Sequence, residues 1–339
     1  MKQTNISVFV PHYGCPNRCS FCDQRQISGV KRPPSPDEVK ALLLEQQPRL
    51  AASGTAAEIA FFGGSFTAVD RDYMIALLET AAELVSRYPE QYNGIRCSTR
   101  PDCIDEEIIG ILKKYGMTAV ELGAQSMNDE VLLKNRRGHT AADVVKAAGL
   151  IKSAGISLGL QMMTGLYGDK PEYCIETAEK FIELDCDTVR IYPTVILEGT
   201  ELGELYKKGI YESFGFSETV DLCAELLTMF RKAEIPVIRL GLHASKEVEQ
   251  QMLGGVYHPA LREIVESRIF YREMLSEMEH FGKGDFTVYT DPSNISKVIG
   301  QKRENKERLS EKGYSFSVKS EKGTYLRIVP LSRQERKTF

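Results

Sequence analysis

Three cysteines, Cys15, Cys19 and Cys22, fall within eight residues, in the run Cys-Pro-Asn-Arg-Cys-Ser-Phe-Cys. Thiolates are the usual protein ligands of iron–sulfur clusters. Three so close together can hold three irons of a cubane and leave the fourth without a protein ligand, open to a small chelating molecule. A zinc knuckle is the competing reading. It needs four protein ligands, and His12 stands close enough to be the fourth. The remaining cysteines, Cys97, Cys103, Cys174, Cys186 and Cys223, are scattered singles and read as buried small hydrophobes.

Other chemistry-bearing residues recur at one kind of place. Gly63-Gly64-Ser65, Ser98-Thr99-Arg100, Gln125-Ser126 and Tyr192-Pro193-Thr194 each follow a short aliphatic or β-branched run. These runs predict strands over Ile6–Pro11, Glu58–Phe62, Gly94–Ser98, Ala119–Gly123, Ser157–Met162 and Thr188–Tyr192. Helical patterns lie between them, at about 36–50, 70–87, 105–115, 140–154 and 171–184. Ser35 before Pro36 and Asp105 before Glu106 are start signals, and Gly54, Gly116 and Gly155 are stops. Six βα units in succession make a parallel sheet with right-handed crossovers. The polar residues then gather at the strand ends where barrel enzymes carry their sites, although an open flavodoxin-like sheet would show the same alternation.

The chain has 339 residues, 42% hydrophobic, enough for one α/β barrel and a small additional module. The first ten residues hold one Lys and no long apolar run, and no later stretch has the length of a membrane span. A cytoplasmic protein is expected. Net charge is −4, yet residues 297–339 carry twelve Lys and Arg against five Asp and Glu, leaving −11 on the rest. A basic C-terminal segment on an acidic body is a local electrostatic handle.

Beyond Leu197 the pattern predicts a helix near 217–233, a strand-like Val237–Leu242, an irregular stretch through Gly254-Gly255 and a long helix near 259–280. The expected division is a barrel over 1–243, a connecting helical region over 244–284, and a small basic α+β unit over 285–339. In that unit a strand near Phe286–Tyr289, two helical stretches around Gly300-Gln301-Lys302-Arg303 and strands near 315–319 and 324–329 resemble the core of a KH domain. There a short loop between two helices holds a nucleic-acid backbone. The match is partial, because Arg303 stands where the second loop glycine belongs. Gly300, Gln301, Lys302 and Arg303 are the expected RNA contacts.

The C-x3-C-x2-C spacing, with Phe21 before the last cysteine, is the signature of the radical S-adenosylmethionine (SAM) superfamily. Phe61-Phe62-Gly63-Gly64-Ser65-Phe66-Thr67 resembles its glycine pair, which presents backbone to the SAM amino group. Ser98-Thr99-Arg100-Pro101-Asp102, Glu121-Leu122-Gly123-Ala124-Gln125-Ser126, Arg136-Arg137-Gly138-His139-Thr140, Met162-Met163 and Ile191-Tyr192-Pro193-Thr194 follow in order. Over roughly residues 6–243 this series is similar to the radical SAM domain of the Elongator catalytic subunit, a tRNA uridine-modifying enzyme.

The resemblance implies a partial (β/α)6 barrel of TIM-like type. It implies a [4Fe–4S] cluster on Cys15, Cys19 and Cys22, and a SAM face lined by Gly63, Gly64, Thr99, Arg100, Glu121 and Gln125. Arg100 can pair bidentately with the SAM carboxylate, and Glu121 can accept from ribose hydroxyls or an amine. Tyr192, His139, Gln161, Arg190 and Met163 are candidates for the substrate side. The implied chemistry is electron transfer from a reductant such as ferredoxin or flavodoxin, cleavage of SAM to a 5′-deoxyadenosyl radical, and hydrogen abstraction.

Three departures stand out. The first cysteine gap is three residues, shorter than in Elongator. Gln161 replaces a His before the Met pair. The chain also leaves no room for an acetyltransferase domain, so carboxymethylation is not carried over. The expected function is modification of a nucleotide in tRNA or rRNA. Radical chemistry on a tetrapyrrole, small molecule or protein is the alternative, and a non-catalytic zinc- or RNA-binding protein the lesser one.

Overall fold

The structure is a computed structural model that describes residues 4–10, 19–22, 32–242 and 246–331. Its first unit comprises residues up to Gly215 together with Phe230–Tyr257, and its second comprises Phe216–Met229 and the chain from His258 onward.

In the first unit, strand β1 (Thr4–Phe9) leads to helix α1 (Pro36–Ser53), and the pattern repeats through β2 (Ala57–Phe62), α2 (Arg71–Arg87), β3 (Tyr92–Thr99), α3 (Glu106–Lys114) and β4 (Met117–Gln125). Helices α4 (Asp129–Lys134) and α5 (Ala141–Ser153), β5 (Ser157–Thr164), α6 (Pro171–Glu183) and β6 (Thr188–Pro193) follow. The start signals work as the residue types dictate. Ser35 and Glu38 form a capping box and Pro36 opens the first turn, while Asp70 and Asp105 cap the next two helices. Gly54 closes α1 in the left-handed region.

The six strands are joined by a seventh, β8 (Val237–Leu240), all parallel, in the order β1-β2-β3-β4-β5-β6-β8. A doubly wound sheet reverses direction partway. Here every crossover advances the same way, so the sheet curls into a half-barrel and the flavodoxin-like alternative falls. Leu43, Leu77, Leu78, Leu84 and Phe61 are fully buried in its core, each stabilising the fold by ~1.5–3 kcal/mol.

Beyond β6 the chain forms β7 (Val195–Leu197), α7 (Glu201–Lys207) and α8 (Phe216–Lys232), then, after β8, α9 (Lys246–Gln251) and β9 (Met252–Gly255). The Gly254-Gly255 stretch, read from sequence as irregular, is a strand paired antiparallel with β7. Gly255 has φ +83°, and a Cβ there would meet the Thr194 carbonyl oxygen at 2.3 Å. Two glycines hide a strand that any side chain would prevent from approaching.

The second unit contains α10 (Leu261–Phe281), β10 (Gly284–Thr290), α11 (Ile295–Ile299), α12 (Glu304–Glu311), β11 (Tyr314–Ser320) and β12 (Arg327–Pro330). Strand β10 is central, parallel to β11 and antiparallel to β12. Phe270, Met274 and Met278 of α10 pack with Phe286, Val288, Val298, Leu309, Phe316 and Ile328. The long helix, expected to be a connector, thus supplies one wall of this unit's own core. Among the described residues no helix is long and apolar enough to cross a membrane.

Candidate functional site

The cysteine loop is held from its centre. Ser20, between two of the cysteines, is 1% exposed. Its hydroxyl donates to Asn135 Oδ1 at 2.8 Å and its amide to the Asn135 carbonyl at 3.2 Å. Asn135, fully buried after α4, also donates from Nδ2 to the Val131 and Tyr167 carbonyls at 2.8 and 2.9 Å. The Ser20 carbonyl accepts from the Leu202 amide at 2.7 Å, and Phe21 packs against Ile196, Leu202 and Tyr211. Cys19 and Cys22 ride on this anchored turn, and the Cys22 amide donates to the Cys19 carbonyl at 3.2 Å. Cys15 and His12 lie outside the described residues, and among the described residues no three His, Cys, Asp or Glu side chains converge on a metal position. Of the other cysteines, Cys97, Cys174, Cys186 and Cys223 are buried and Cys103 is half-buried; burial pushes the Cys97 thiol well up.

Arg137 reaches the same loop. Its Nη1 donates to Cys19 Sγ at 3.0 Å and its Nη2 to the Gly123 carbonyl at 2.5 Å.

The strand ends form a linked polar network. Gly63 turns after β2 with φ 101°. Just beyond it the hydroxyls of Ser65 and Thr67 meet Thr99 Oγ1 at 2.9 and 2.6 Å, and Ser65 Oγ accepts from the Arg100 amide at 3.2 Å. Thr99 therefore ties the glycine turn to β3. Arg100 grips Asp102 bidentately at 2.9 Å for each bond, and its Nη2 also donates to the Arg137 carbonyl. Gln125 ends β4 in the left-handed region, φ 69°. His139, 5% exposed, has Nε2 3.1 Å from the Ala124 carbonyl. That contact requires the proton on Nε2 and leaves Nδ1 an acceptor. Burial, with Arg137 and Arg100 nearby, lowers the His139 pKa to about 4, so its ring is neutral near pH 7.

Glu121 lies deeper, within β4. Its Oε1 accepts from Arg96 at 2.8 Å and from Arg190 at 2.7 Å, and its Oε2 from Gln161 at 2.8 Å. Arg96 continues to Glu58 at 2.7 Å, and Arg190 Nη1 reaches Tyr192 Oη at 3.4 Å. A Cβ on Gly159 would sit 2.9 Å from Glu121 Cγ, so glycine there makes room for the carboxylate. The Tyr192 pKa is raised, with burial the largest cause, which keeps the phenol protonated. Met163 pairs in register with Tyr192. Both Glu121 oxygens are thus engaged by protein. Arg96, Glu58, Asn135 and Arg137, not among the residues expected at the site, complete the network; Glu58 and Arg96 lie in runs read only as strands, and Arg137 in the motif Arg136–Thr140.

Four buried side-chain atoms in this network have no protein partner: Arg100 Nη1, Gln125 Oε1, Arg137 Nε and His139 Nδ1. Buried polar atoms are normally bonded. Two donors and two acceptors left open on the strand-end face fit a ligand carrying both an anionic and an amino group, and the anchored thiolates fit an iron–sulfur cluster beside it.

In the second unit, the loop between α11 and α12 begins at Gly300, φ 83°, and passes through Lys302 and Arg303 at φ 50° and 69°. A Cβ at Gly300 would lie 2.7 Å from the Asn305 amide nitrogen. Buried Asn305 holds the loop's base, donating from Nδ2 to Ser267, Lys297 and Val298 oxygens at 3.0 to 3.2 Å.

Residues 9–181 match the model of the radical SAM superfamily, and residues 186–270 that of the Radical_SAM C-terminal domain. Elongator complex protein 3 of Danio rerio is 32% identical over 247 residues, covering 67% of this chain and 44% of that protein. The tRNA uridine(34) acetyltransferase of Methanocaldococcus infernus is 32% identical over 197 residues, 53% of this chain and 37% of that one. The chain thus spans less than half the length of these relatives. Among solved structures, the archaeal Elp3 of Methanocaldococcus infernus superposes with a TM-score of 0.61 at 22% identity, covering 81% of this chain and 63% of that one.

Proposed function

The chain belongs to the radical SAM superfamily, and from that premise we propose that it modifies a nucleotide of RNA, in tRNA or rRNA. Its cofactors are a [4Fe–4S] cluster and SAM. The observation that carries the RNA reading is the 32% identity over 247 residues to Elongator complex protein 3, beside a protein named for tRNA uridine(34).

Reductive cleavage of SAM to methionine and a 5′-deoxyadenosyl radical, which takes hydrogen from an unactivated carbon, is the chemistry the cofactors supply when bound. Cys15, Cys19 and Cys22 would hold the cluster. Gly63 and Gly64 offer open backbone, Arg100 Nη1 a donor for a carboxylate, and Gln125 Oε1 an acceptor for an amine. Thr99 fixes the turn that carries the glycines, and Glu121 serves the face by orienting Arg190 and Gln161. Tyr192, Gln161 and His139 are assigned to the substrate side, His139 with Nδ1 as an acceptor. Gly300, Gln301, Lys302 and Arg303 would hold RNA phosphates: Gly300 keeps backbone open and the two cations supply charge. We place the reaction in the cytoplasm, with a low-potential carrier of the ferredoxin or flavodoxin type as donor.

The test is nucleoside analysis by mass spectrometry of tRNA and rRNA incubated with loaded enzyme, dithionite and SAM. A nucleoside of new mass is expected. An unchanged profile alongside turnover of SAM contradicts an RNA substrate.

A further inference from the structure

We propose that Arg137 is a positioning residue that raises the reduction potential of the [4Fe–4S] cluster through its bond to Cys19; the proposal rests on the cluster assignment above.

The guanidinium is 6% exposed and held on three sides. Its Nη1 lies 3.0 Å from Cys19 Sγ, its Nη2 is spent on the Gly123 carbonyl at 2.5 Å, and its centre stands 5.9 Å from the Phe21 ring. Its backbone is fixed as well. Arg136 and Gly138 on either side have φ 52° and 69°, and its carbonyl accepts from Arg100. Among the described residues no carboxylate pairs with Arg137, whereas nearby Arg96, Arg100 and Arg190 each have one. A buried cation without a counter-ion is costly, and this one points at a thiolate.

The sign follows from charge. Reduction adds one electron to a site already carrying thiolates. A fixed cation with an N–H bonded to a ligand sulfur stabilises the added negative charge, because hydrogen bonds to sulfur and local net charge set cluster potentials and low exposure keeps the interaction unscreened. Arg137 therefore favours the reduced form. A Lys would keep the charge but not the fork that grips Gly123 and Cys19 together.

Two measurements on the anaerobically loaded protein test this. In the wild type, with arginine labelled by ¹⁵N, the reduced cluster should show a weak ¹⁵N hyperfine coupling and an exchangeable-proton coupling. In Arg137→Met, redox titration followed by electron paramagnetic resonance should show the cluster at least tenfold harder to reduce at a fixed potential, a shift of about 59 mV for one electron. Arg137→Lys should recover part of that shift. A loaded wild type without the nitrogen coupling, or a loaded Met variant that titrates with the wild type, overturns the role of Arg137 and leaves the cluster assignment standing. A wild type that assembles no [4Fe–4S] signal overturns both.

Discussion

Glu121 and Arg190 face each other inside the half-barrel with Oε2 and Nε 2.6 Å apart, while Arg96 closes on Oε1 at 2.8 Å. One carboxylate on β4 thus pairs with two buried guanidiniums, Arg96 of the adjacent β3 and Arg190 of β6, with β5 between. Glu121→Gln leaves Arg96 with Glu58 alone and takes the paired carboxylate from Arg190, and removing one partner of a buried pair costs ~3–5 kcal/mol. Urea unfolding under anaerobic conditions should show a loss of that size. A loss below ~1 kcal/mol contradicts a structural ladder built on Glu121.

Asn135 governs a different property. It bonds Ser20 from inside the cysteine loop and Tyr167 from beyond β5. Asn135→Ala strands these buried groups, at ~1–3 kcal/mol, and the cost falls on the loop more than on the sheet. Iron bound per chain after reconstitution should drop severalfold while circular dichroism stays near wild type. Full iron loading would show that the loop holds without its anchor.

How much of this was legible in the sequence depends on the range of the interaction. The cysteine spacing and the capped βα repeats are local, and they pointed to the cluster and the parallel sheet directly. Glu121 read as a ligand because it lies near polar strand-end residues, yet the partners that occupy it come from positions 25 and 69 residues away. Asn135 and Ser20 are 115 residues apart, and Arg137 and Cys19 118. No short-range pattern encodes such pairs. The β9 strand is hidden for the opposite reason: Gly254 and Gly255 read as an irregular stretch, and what explains them is the close approach of the Tyr206 ring to Gly254 and of the Thr194 carbonyl to Gly255.

His139 gives the protein a pH-dependent element. Its folded pKa of about 4 lies below the unfolded value of 6.5. The unfolded chain then binds more protons between these limits, so stability is full above pH 6.5 and falls as pH drops toward 4. The difference corresponds to roughly 3 kcal/mol. His139→Gln, which can keep the donor to Ala124, should flatten the decline in unfolding free energy across that window. A variant with the wild-type slope would assign the decline to other groups.

Lys302 and Arg303 should reveal themselves through salt. Replacing both with Gln removes up to two phosphate contacts, so the slope of log K against log salt should become shallower by ~1.4 for single-stranded RNA. Binding measured by fluorescence anisotropy over a salt series gives that slope directly. An unchanged affinity and slope would take the α11–α12 loop out of RNA contact.

Counting 5′-deoxyadenosine separates radical SAM cleavage driven by RNA from every other reading of this site. The protein is reconstituted anaerobically with iron and sulfide, then incubated with dithionite and SAM, with and without total cellular RNA. 5′-Deoxyadenosine is expected, abolished by Cys19→Ala and increased by RNA. No 5′-deoxyadenosine from a fully loaded, reducible cluster would rule out radical SAM cleavage by this protein.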